Sequence, residues 1–379
     1  MFFMEHWLIN ILLTFGIAFA LTGLLIPQIL LIAFRKKLFD VQDERKIHEG
    51  IVPRLGGIAF VPAIITSISF ILGLEVTLFP DQVSLMLEDR FVPIMFLFCS
   101  LLLLFLVGMA DDLIGVRYSV KFIFQILAAM LTISSGVFIS DLYGIAGLET
   151  LPNWFAWLFT GFCIVYCVNA INLIDGIDGL AAGLAAIAMT IYGIVLLLSG
   201  EYLYSILAWA GVGSLLPFLY FNIFGNAEKC RKIFMGDTGS LTIGMLIIFL
   251  GIVICQTVPS EGILCGTNPV IIGVAPLIVP VFDVARVFLH RIKHRRNPFL
   301  PDRSHIHHKL LDLGLSSTCA LSIILLVSLI YTAANIWLSK IMNVNILILC
   351  DIAVWIIGHI CLTKAIRHRE THTGMKLYE

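Results

Sequence analysis

The chain has 379 residues, of which 59% are hydrophobic and 13% are charged. Its mean hydropathy is +1.00, and apolar runs of about twenty residues follow one another, each long enough to cross the hydrocarbon core of a bilayer. This composition excludes a soluble protein, and the formal net charge of −1 gives no support for nucleic-acid binding. The nine cysteines lack CxxC or framework spacing, which indicates core residues rather than disulfides or a zinc site.

The apolar runs predict about eleven membrane-spanning helices. Backbone polar groups in a bilayer must be bonded internally, so the predicted fold is all-α, a polytopic helical bundle. We expect one transmembrane domain over 1–379 and no cleavable signal peptide, because the first run is too long for one. In chain order, the predicted spans are 7–33, 57–74, 91–109, 122–140, 154–171, 180–199, 202–221, 240–257, 269–289, 317–338 and 344–363.

Charge alternates between the connecting segments. The segments after the first, third, seventh and ninth spans contain clusters of Lys and Arg, whereas the intervening segments carry acidic residues such as Glu75, Asp81, Asp141, Glu201 and Glu261. The positive-inside rule therefore predicts an N-terminus outside, a C-terminus in the cytoplasm and basic segments on the cytoplasmic face.

Two adjacent carboxylates, Asp111 and Asp112, directly follow the third predicted span in GMADDLIGVRYSVK. Neighbouring carboxylates at an apolar boundary repel each other and lose hydration, so one tends to keep a proton unless a cation is close. A general base or a magnesium site is one interpretation; a solvated helix end is the other.

Amides and carboxylates recur at helical spacing in VNAINLIDGIDGLAAG, at Asn169, Asn172, Asp175 and Asp178. Residues three apart share a helix face, and the glycines that follow disfavour a continued helix. Oxygen-bearing side chains at such an end suit a hard divalent cation and its phosphate ligands. The alternative is a polar cap and loop.

Asp237 opens the eighth predicted span in FMGDTGSLTIG. Asp237 or Thr238 could be the N-cap of this helix. The same geometry would let backbone donors face an anion while the carboxylate holds a cation.

Three histidines, His305, His307 and His308, follow a basic stretch in DRSHIHHKLLDLG. A zinc site is one interpretation, but a magnesium and phosphate site elsewhere favours histidines that bind phosphate. Just upstream, Asp283 and Arg286 are three residues apart, which predicts an intrahelical ion pair.

Five motifs in this order resemble those of the polyprenyl-phosphate N-acetylhexosamine-1-phosphate transferase family. They cover roughly 40–310, and the charge pattern places all of them on the cytoplasmic face. The motifs are DERKIHEGIVPRLGG, ADDLIG, NAINLIDGIDGL, FMGDTGS and DRSHIHHKLL.

The resemblance implies a reaction and its cofactor. An N-acetylhexosamine 1-phosphate, expected to be that of N-acetylglucosamine, would pass from its UDP derivative to undecaprenyl phosphate. The product would be UMP and a lipid-linked sugar that initiates a cell-surface polysaccharide such as lipopolysaccharide. Mg²⁺, with Mn²⁺ as a substitute, is the implied metal. The expected location is the inner membrane, among membrane lipids, with the active site facing the cytoplasm. The oligomeric state is left open, with a homodimer as one alternative.

The motif details favour the branch that uses UDP-N-acetylglucosamine. The muramoyl branch typically has three consecutive histidines and a lysine where this chain has Gly115. UDP-N-acetylmuramoyl-pentapeptide and other UDP-N-acetylhexosamines remain the alternatives within the family. An ion-coupled transporter is a remote alternative, because transporters place ionisable groups near the bilayer midplane. A non-catalytic scaffold is a further alternative that an activity assay would separate.

The resemblance also assigns roles to residues. Asp111 and Asp112 would position or deprotonate the lipid phosphate, and His307 and His308 would act at the phosphates as further catalytic candidates. Asn172 and Asp237 are the candidate metal ligands. The expected substrate-binding residues are Lys121, Asn169, Asp175, Asp178, Arg303 and His305.

Overall fold

The computed structural model describes residues 2–38, 52–257, 264–295 and 305–373. The described residues form fourteen α-helices and short 3-10 turns, which confirms the all-α prediction. The helices are α1 (Phe2–Lys36), α2 (Phe60–Leu78), α3 (Pro80–Leu87), α4 (Phe91–Ile114), α5 (Tyr118–Ser134), α6 (Asn153–Ile174), α7 (Leu180–Leu198), α8 (Tyr202–Ile223), α9 (Gly236–Gln256), α10 (Pro269–Val274), α11 (Ile278–Lys293), α12 (Ile306–Asp312), α13 (Ser317–Leu338) and α14 (Val344–Thr373).

Helix α9 forms the centre of the bundle. All residues from Thr238 to Cys255 are buried, because α4 and α6 pack along α9 and α7 and α10 also contact it. Helix α1 packs along α8, which packs in turn on α7. A helix that is apolar on every side requires such a central position.

Ten helical segments of the described chain are long and apolar enough to cross a membrane. Helix α5, with 17 residues, is shorter, yet its ends lie level with those of α9. Lys121 near its start contacts Asp237 at the beginning of α9. At the other end, the Gln256 side chain donates to the carbonyl oxygens of Gly136 and Phe138, at 2.9 and 3.1 Å. The segment from α5 to Phe138 therefore runs beside α9 over its length, where the sequence predicted the fourth span.

The predicted ninth span is interrupted rather than continuous. A 3-10 turn, Ala275–Leu277, separates α10 from α11. Pro276 lies in this turn and Pro280 lies early in α11, and neither residue can donate a helical hydrogen bond.

The two ends of the bundle differ in their side chains. At the predicted outer end, Arg90 donates to both carboxylate oxygens of Glu201 at 2.7 and 2.8 Å, and Trp7 stacks on Tyr202. The motif residues that the structure describes lie at the opposite end, where α4, α6 and α8 finish and α5, α7 and α9 begin.

Candidate active site

Two carboxylates share one ammonium group at the predicted cytoplasmic end. Lys121 Nζ lies 2.7 Å from Asp237 Oδ2 and 3.1 Å from Asp111 Oδ2. Asp111 lies in the last turn of α4 and Asp237 in the first turn of α9, and the two helices pack directly on each other. We name Asp111, Lys121 and Asp237, with Asn172, the carboxylate cluster.

Asn172, near the end of α6, contacts the other members of the carboxylate cluster. Its amide nitrogen donates to Asp237 Oδ1 at 3.1 Å and to Ser240 Oγ at 2.8 Å. The assignment of nitrogen and oxygen within an amide follows its hydrogen-bond partners. In this orientation the nitrogen faces the carboxylate, and a 180° turn of the amide would present its oxygen instead.

Asp112 caps α9 from another helix. Its carboxylate accepts hydrogen bonds from the backbone N–H groups of Asp237 (2.7 Å) and Thr238 (2.9 Å) and from the Thr238 hydroxyl (2.5 Å). These are the donors that an N-cap side chain normally satisfies. The prediction that Asp237 or Thr238 caps its own helix is therefore wrong. The backbone N–H groups that were expected to face a bound anion donate to the carboxylate of Asp112 instead.

Gly236 makes this close approach of two helices feasible. Its φ is +72°, and a Cβ at this position would lie 2.6 Å from Asp112 Oδ2 and 2.2 Å from the Arg54 carbonyl oxygen. A side chain at position 236 would displace both the Asp112 carboxylate that caps α9 and the backbone at Arg54.

The PRLGG segment holds the start of α9 from the other side. Phe234 N donates to Pro53 O, and Gly56 N donates back to Phe234 O, both at 2.9 Å. Gly57 N donates to Met235 O, also at 2.9 Å. Two of the motifs recognised in the sequence therefore form one backbone-paired unit.

The loop between α6 and α7 carries the two further aspartates. Asp178 Oδ2 accepts from Lys232 Nζ at 2.7 Å. Desolvation by the surrounding protein and the charges of Asp237 and Asp178 raise the pKa of Asp175 to about 7. The Asp175 residue is nevertheless exposed at this end of the bundle, so its carboxyl can exchange protons with solvent.

Asp283 organises the histidine segment. Its carboxylate lies 2.8 Å from His305 Nδ1, accepts from Ile306 N at 3.1 Å, and pairs with Arg286 at 2.9 Å. The predicted pair of Asp283 and Arg286 is present, but the contact with His305 was not anticipated. His305 is 5% exposed, so this geometry makes it a support for its neighbours.

His307 connects the histidines to the aspartate loop. A Cβ added to Gly176 would lie 2.2 Å from His307 Nε2, so the ring lies directly against this loop. His307 is 1% exposed, and its ring nitrogens have no hydrogen-bond partner among the described residues. Burial and the neighbouring rings of His308 and His305 lower the pKa of His307 to about 3, so the ring is neutral at physiological pH.

Two of the predicted site residues stand apart from these groups. Asn169 forms a reciprocal amide pair with Gln125 of α5, at 2.6 and 3.3 Å, one helical turn before Asn172. It supports the α5–α6 contact rather than the cleft. Arg303 lies outside the described residues.

Sequence reasoning missed several residues of the site. Asn222 Oδ1 accepts from Gly179 N at 2.6 Å, and its amide nitrogen donates to Ile233 O at 2.8 Å; it thereby joins the aspartate loop to the segment before α9. Lys232, which pairs with Asp178, and Arg54, whose charge opposes the rise in the pKa of Asp175, contributed to the sequence analysis only as part of the basic segments. The one clue in the sequence that Lys232 belongs to the site was its position just before the FMGDTGS motif.

The donor set fits a hard divalent cation. No group of three or more His, Cys, Asp or Glu side chains forms a preassembled metal site in the described chain. Asp111 and Asp237 nevertheless converge on one cation, Lys121, with the Asn172 amide beside them. Carboxylate and amide oxygens are what Mg²⁺ prefers. Asp112 uses both oxygens on α9 and does not belong to this donor set.

Comparison with known proteins identifies relatives over most of the chain. A profile described as "Glycosyl transferase family 4" matches residues 94–255. The chain is 30% identical over 364 residues, 94% of both chains, to a protein of Bacillus subtilis (strain 168) named "Probable undecaprenyl-phosphate N-acetylglucosaminyl 1-phosphate transferase".

Enterobacterial relatives carry a closely similar name, "Undecaprenyl-phosphate alpha-N-acetylglucosaminyl 1-phosphate transferase". The Salmonella typhi protein is 28% identical over 80% of this chain and 77% of its own length. The Escherichia coli (strain K12) protein is 26% identical with the same coverage.

Proposed function

The chain belongs to glycosyl transferase family 4, and from that premise we propose that it transfers N-acetylglucosamine 1-phosphate from UDP-N-acetylglucosamine to undecaprenyl phosphate. UMP is released at the cytoplasmic face of the inner membrane, and the lipid-linked sugar initiates a cell-surface glycan. The chain is a multi-pass membrane phosphotransferase.

One observation carries the proposal. The carboxylate cluster joins residues from four separate helices at one end of the bundle, and the loop with Asp175 and the ring of His307 border the same end. A membrane-bound phosphate and a soluble nucleotide can meet only at such a surface. The names of relatives that span most of this chain, which mention undecaprenyl phosphate and the N-acetylglucosaminyl 1-phosphate group, support this choice of acceptor and sugar.

The reaction requires that two anions approach each other. An oxygen of the lipid phosphate attacks the sugar-bearing phosphorus of the UDP-sugar, a new P–O bond forms, and the bond to UMP breaks. Asn172 and Asp237, with Asp111 beside them, would hold a Mg²⁺ ion, which would neutralise pyrophosphate charge. Lys121 keeps the carboxylates of Asp111 and Asp237 together while the anions enter.

The remaining residues hold and orient the phosphates. A phosphate monoester is largely ionised near neutral pH, so we assign Asp111 a positioning role at the lipid phosphate rather than that of an obligatory base. Asp112 fixes Asp237 by capping α9. His308 can donate to phosphate oxygens, and the buried, neutral ring of His307, 4.2 Å from that of His308, helps to position it.

The experiment is transfer of radiolabel from UDP-N-acetylglucosamine into a butanol-extractable lipid by purified protein with undecaprenyl phosphate and Mg²⁺. Asp237→Asn should abolish the product. Asp81→Asn, a matched change at an exposed aspartate of α3 on the predicted outer side, should retain it.

The outcomes separate the alternatives. Labelled lipid with equimolar UMP, lost only in Asp237→Asn, supports the proposal. If product forms only with another UDP-N-acetylhexosamine or with UDP-N-acetylmuramoyl-pentapeptide, the reaction class holds but N-acetylglucosamine is not the transferred sugar. Absence of product with every donor rejects the function.

A further inference from the structure

The helix that carries the histidines is short and is held by other helices at both ends. Helix α12 has seven residues, and an isolated helix of two turns is not stable in water. At its start, Asp283 of α11 accepts a hydrogen bond from Ile306 N at 3.1 Å. The position of α12, and with it that of His307 and His308, therefore depends on tertiary contacts.

The far end of α12 is completed by a side chain from another helix. A helix cannot satisfy its last four carbonyl groups with its own N–H groups. Three of these carbonyl groups accept hydrogen bonds from backbone N–H groups just beyond the helix end; they belong to Lys309, Leu310 and Leu311. The carbonyl oxygen of Asp312 accepts from Arg369 Nη1 of α14 at 2.9 Å. The guanidinium group thus completes the C-terminal cap of α12.

Gly314 leaves the space that this guanidinium group occupies. It lies two residues beyond α12 with a φ of +83°, and a Cβ at this position would lie 2.2 Å from Arg369 Nη1 and 2.5 Å from Arg369 Cζ. A side chain here would both strain the turn and displace the guanidinium group. The end of a helix also carries partial negative charge, which a cation stabilises. The turn after α12 and the arginine of α14 therefore fit each other.

Helix α14 is long enough to reach α12 from the membrane. Its 30 residues rise about 45 Å, whereas a hydrocarbon core is roughly 30 Å thick. A second contact joins the two helices nearly two turns before Arg369, where Lys309 Nζ donates to Thr363 Oγ1 at 3.0 Å. Lys309 is 3% exposed, so this hydrogen bond is shielded from water. The last turns of α14 therefore hold α12 at two points.

We propose that Arg369 is a positioning residue for the transfer reaction. By capping α12, it holds the ring of His307 against the loop at Gly176 and thereby fixes the direction in which His308 meets the phosphates. The role of the histidines rests on the proposed function, whereas the contact between Arg369 and α12 does not. In the sequence, Arg369 lies outside the five motifs and is only one of several basic residues near the predicted cytoplasmic end.

Three variants of the full-length protein test this role. Arg369→Leu removes the hydrogen-bond donor and keeps an aliphatic side chain. Arg367→Leu is the matched control, because Arg367 is exposed and two successive positions of this spacing lie on different sides of a helix. Arg369→Lys restores a cation and a donor without the planar guanidinium group. Each variant would be compared with the wild type by thermal unfolding, by hydrogen–deuterium exchange of the peptide that contains α12, and by the transfer assay.

Without substrates, the amide hydrogens of α12 should exchange about tenfold faster in Arg369→Leu than in the wild type, because the helix end opens more readily. The unfolding temperature should not change, since α12 packs mainly on α13 and α14 and the opening of one short helix is a local event. The kcat/KM of transfer should fall about fivefold. Arg367→Leu should match the wild type in all three measurements, and Arg369→Lys should recover most of the lost activity.

Three results would overturn the inference. Equal exchange of the α12 amides in Arg369→Leu and in the wild type would show that the arginine does not hold this helix. Faster exchange with unchanged transfer would show that the contact has no role in the reaction. A lower unfolding temperature that accompanies the lost activity would show a general loss of folding instead of a local displacement.

The two proposals fail in different ways. A wild type that transfers none of the sugar donors would reject the proposed function, whereas the exchange measurement, made without substrates, decides by itself whether Arg369 holds α12. Should Arg369→Leu not be recovered as folded protein, Arg369→Gln, which keeps a polar side chain without the cation, gives the same comparison with Arg367→Leu.

Discussion

At the scale of single residues, the adjacent aspartates perform different tasks. The carboxylate of Asp112 satisfies two backbone donors of α9 and one hydroxyl, whereas Asp111 faces Lys121 in the carboxylate cluster. Hydrogen bonds to a charged acceptor contribute more than neutral ones, and an unsatisfied buried donor carries the full cost of desolvation. Asp112 should therefore matter for folding and Asp111 for turnover.

Asp112→Asn should lower the stability of the protein by about 1–3 kcal/mol, because its amide nitrogen cannot accept a hydrogen bond from α9. Asp111→Asn should leave the unfolding temperature near that of the wild type, since its remaining oxygen can still accept from Val116 N, yet reduce transfer at least tenfold. Thermal unfolding in one detergent, run beside the transfer assay, measures both. An unchanged unfolding temperature for Asp112→Asn would contradict the capping role.

The raised pKa of Asp175 predicts a pH-dependent requirement for magnesium. The carboxyl is half protonated near pH 7, and a cation bound nearby favours its charged form. Metal binding therefore expels a proton, and the apparent Mg²⁺ affinity should rise with pH through 7. If the cation lowers this pKa by about one unit, the gain between pH 6 and pH 8 is about fivefold.

Mg²⁺ titrations of transfer activity at pH 6 and pH 8 measure this dependence. Asp175→Asn, which cannot ionise, should show the same half-saturating concentration at both pH values. A fivefold change that persists in Asp175→Asn would assign the titration to another group.

The motif ADDLIG predicted an important pair of aspartates but not their division of labour. Asp112 and Asp237 are 125 positions apart in sequence, so no local pattern could reveal that one caps the helix of the other. Asn222 was missed for the same reason: its partners, Gly179 and Ile233, lie in two different loops. Local spacing identifies the chemistry of a residue, whereas the tertiary contact decides how it is used.

At the scale of helices, the site depends on the close approach of backbones. A Cβ added to Gly57 would lie 2.0 Å from Gly239 N, and one added to Gly108 would lie 2.6 Å from Thr238 Cα. Both contacts press on the first turn of α9, which carries Asp237. Packed backbone cannot give way as a flexible side chain can.

Gly57→Ala should therefore displace the start of α9, cost about 1–3 kcal/mol of stability and reduce transfer more than tenfold. Gly73→Ala is the matched control, since Gly73 lies in α2 with nothing within 4 Å of an added Cβ, and its stability should be unchanged or slightly higher. Unfolding temperature and initial rate test both variants. Wild-type activity in Gly57→Ala would show that α9 tolerates the shift.

Helix boundaries were predicted best where hydropathy alone determines them. The predicted span 317–338 coincides with α13 (Ser317–Leu338). In contrast, α9 begins at Gly236 rather than at the predicted 240, because Asp112 supplies its cap from another helix. The break at Ala275–Leu277 was missed because its residues are as apolar as their neighbours, although Pro276 and Pro280 were a signal for it in the sequence.

At the scale of the whole molecule, the start of α1 and the end of α14 lie at opposite ends of the bundle, since Trp7 stacks on Tyr202 whereas Arg369 donates to the carbonyl oxygen of Asp312. The alternating charges predicted this arrangement, and the structure places Lys121, Lys232 and Asp237 at one end and Arg90 with Glu201 at the other. Sequence could predict a side for most loops because charge is a local property. It could not state that α5 completes its crossing through a non-helical stretch held by Gln256.

Two native cysteines can test this topology. Cys230 lies in the loop before α9 and Cys265 in the segment between α9 and α10, and both are exposed. With each kept as the single cysteine, a membrane-impermeant maleimide should label Cys265 in intact cells and Cys230 only after permeabilisation. Cys230 is two residues from Lys232, which pairs with Asp178, so its side is also that of the candidate site. Labelling of Cys230 in intact cells would place the carboxylate cluster outside, where a cytoplasmic nucleotide sugar could not reach it, and would contradict both the topology and the proposed reaction.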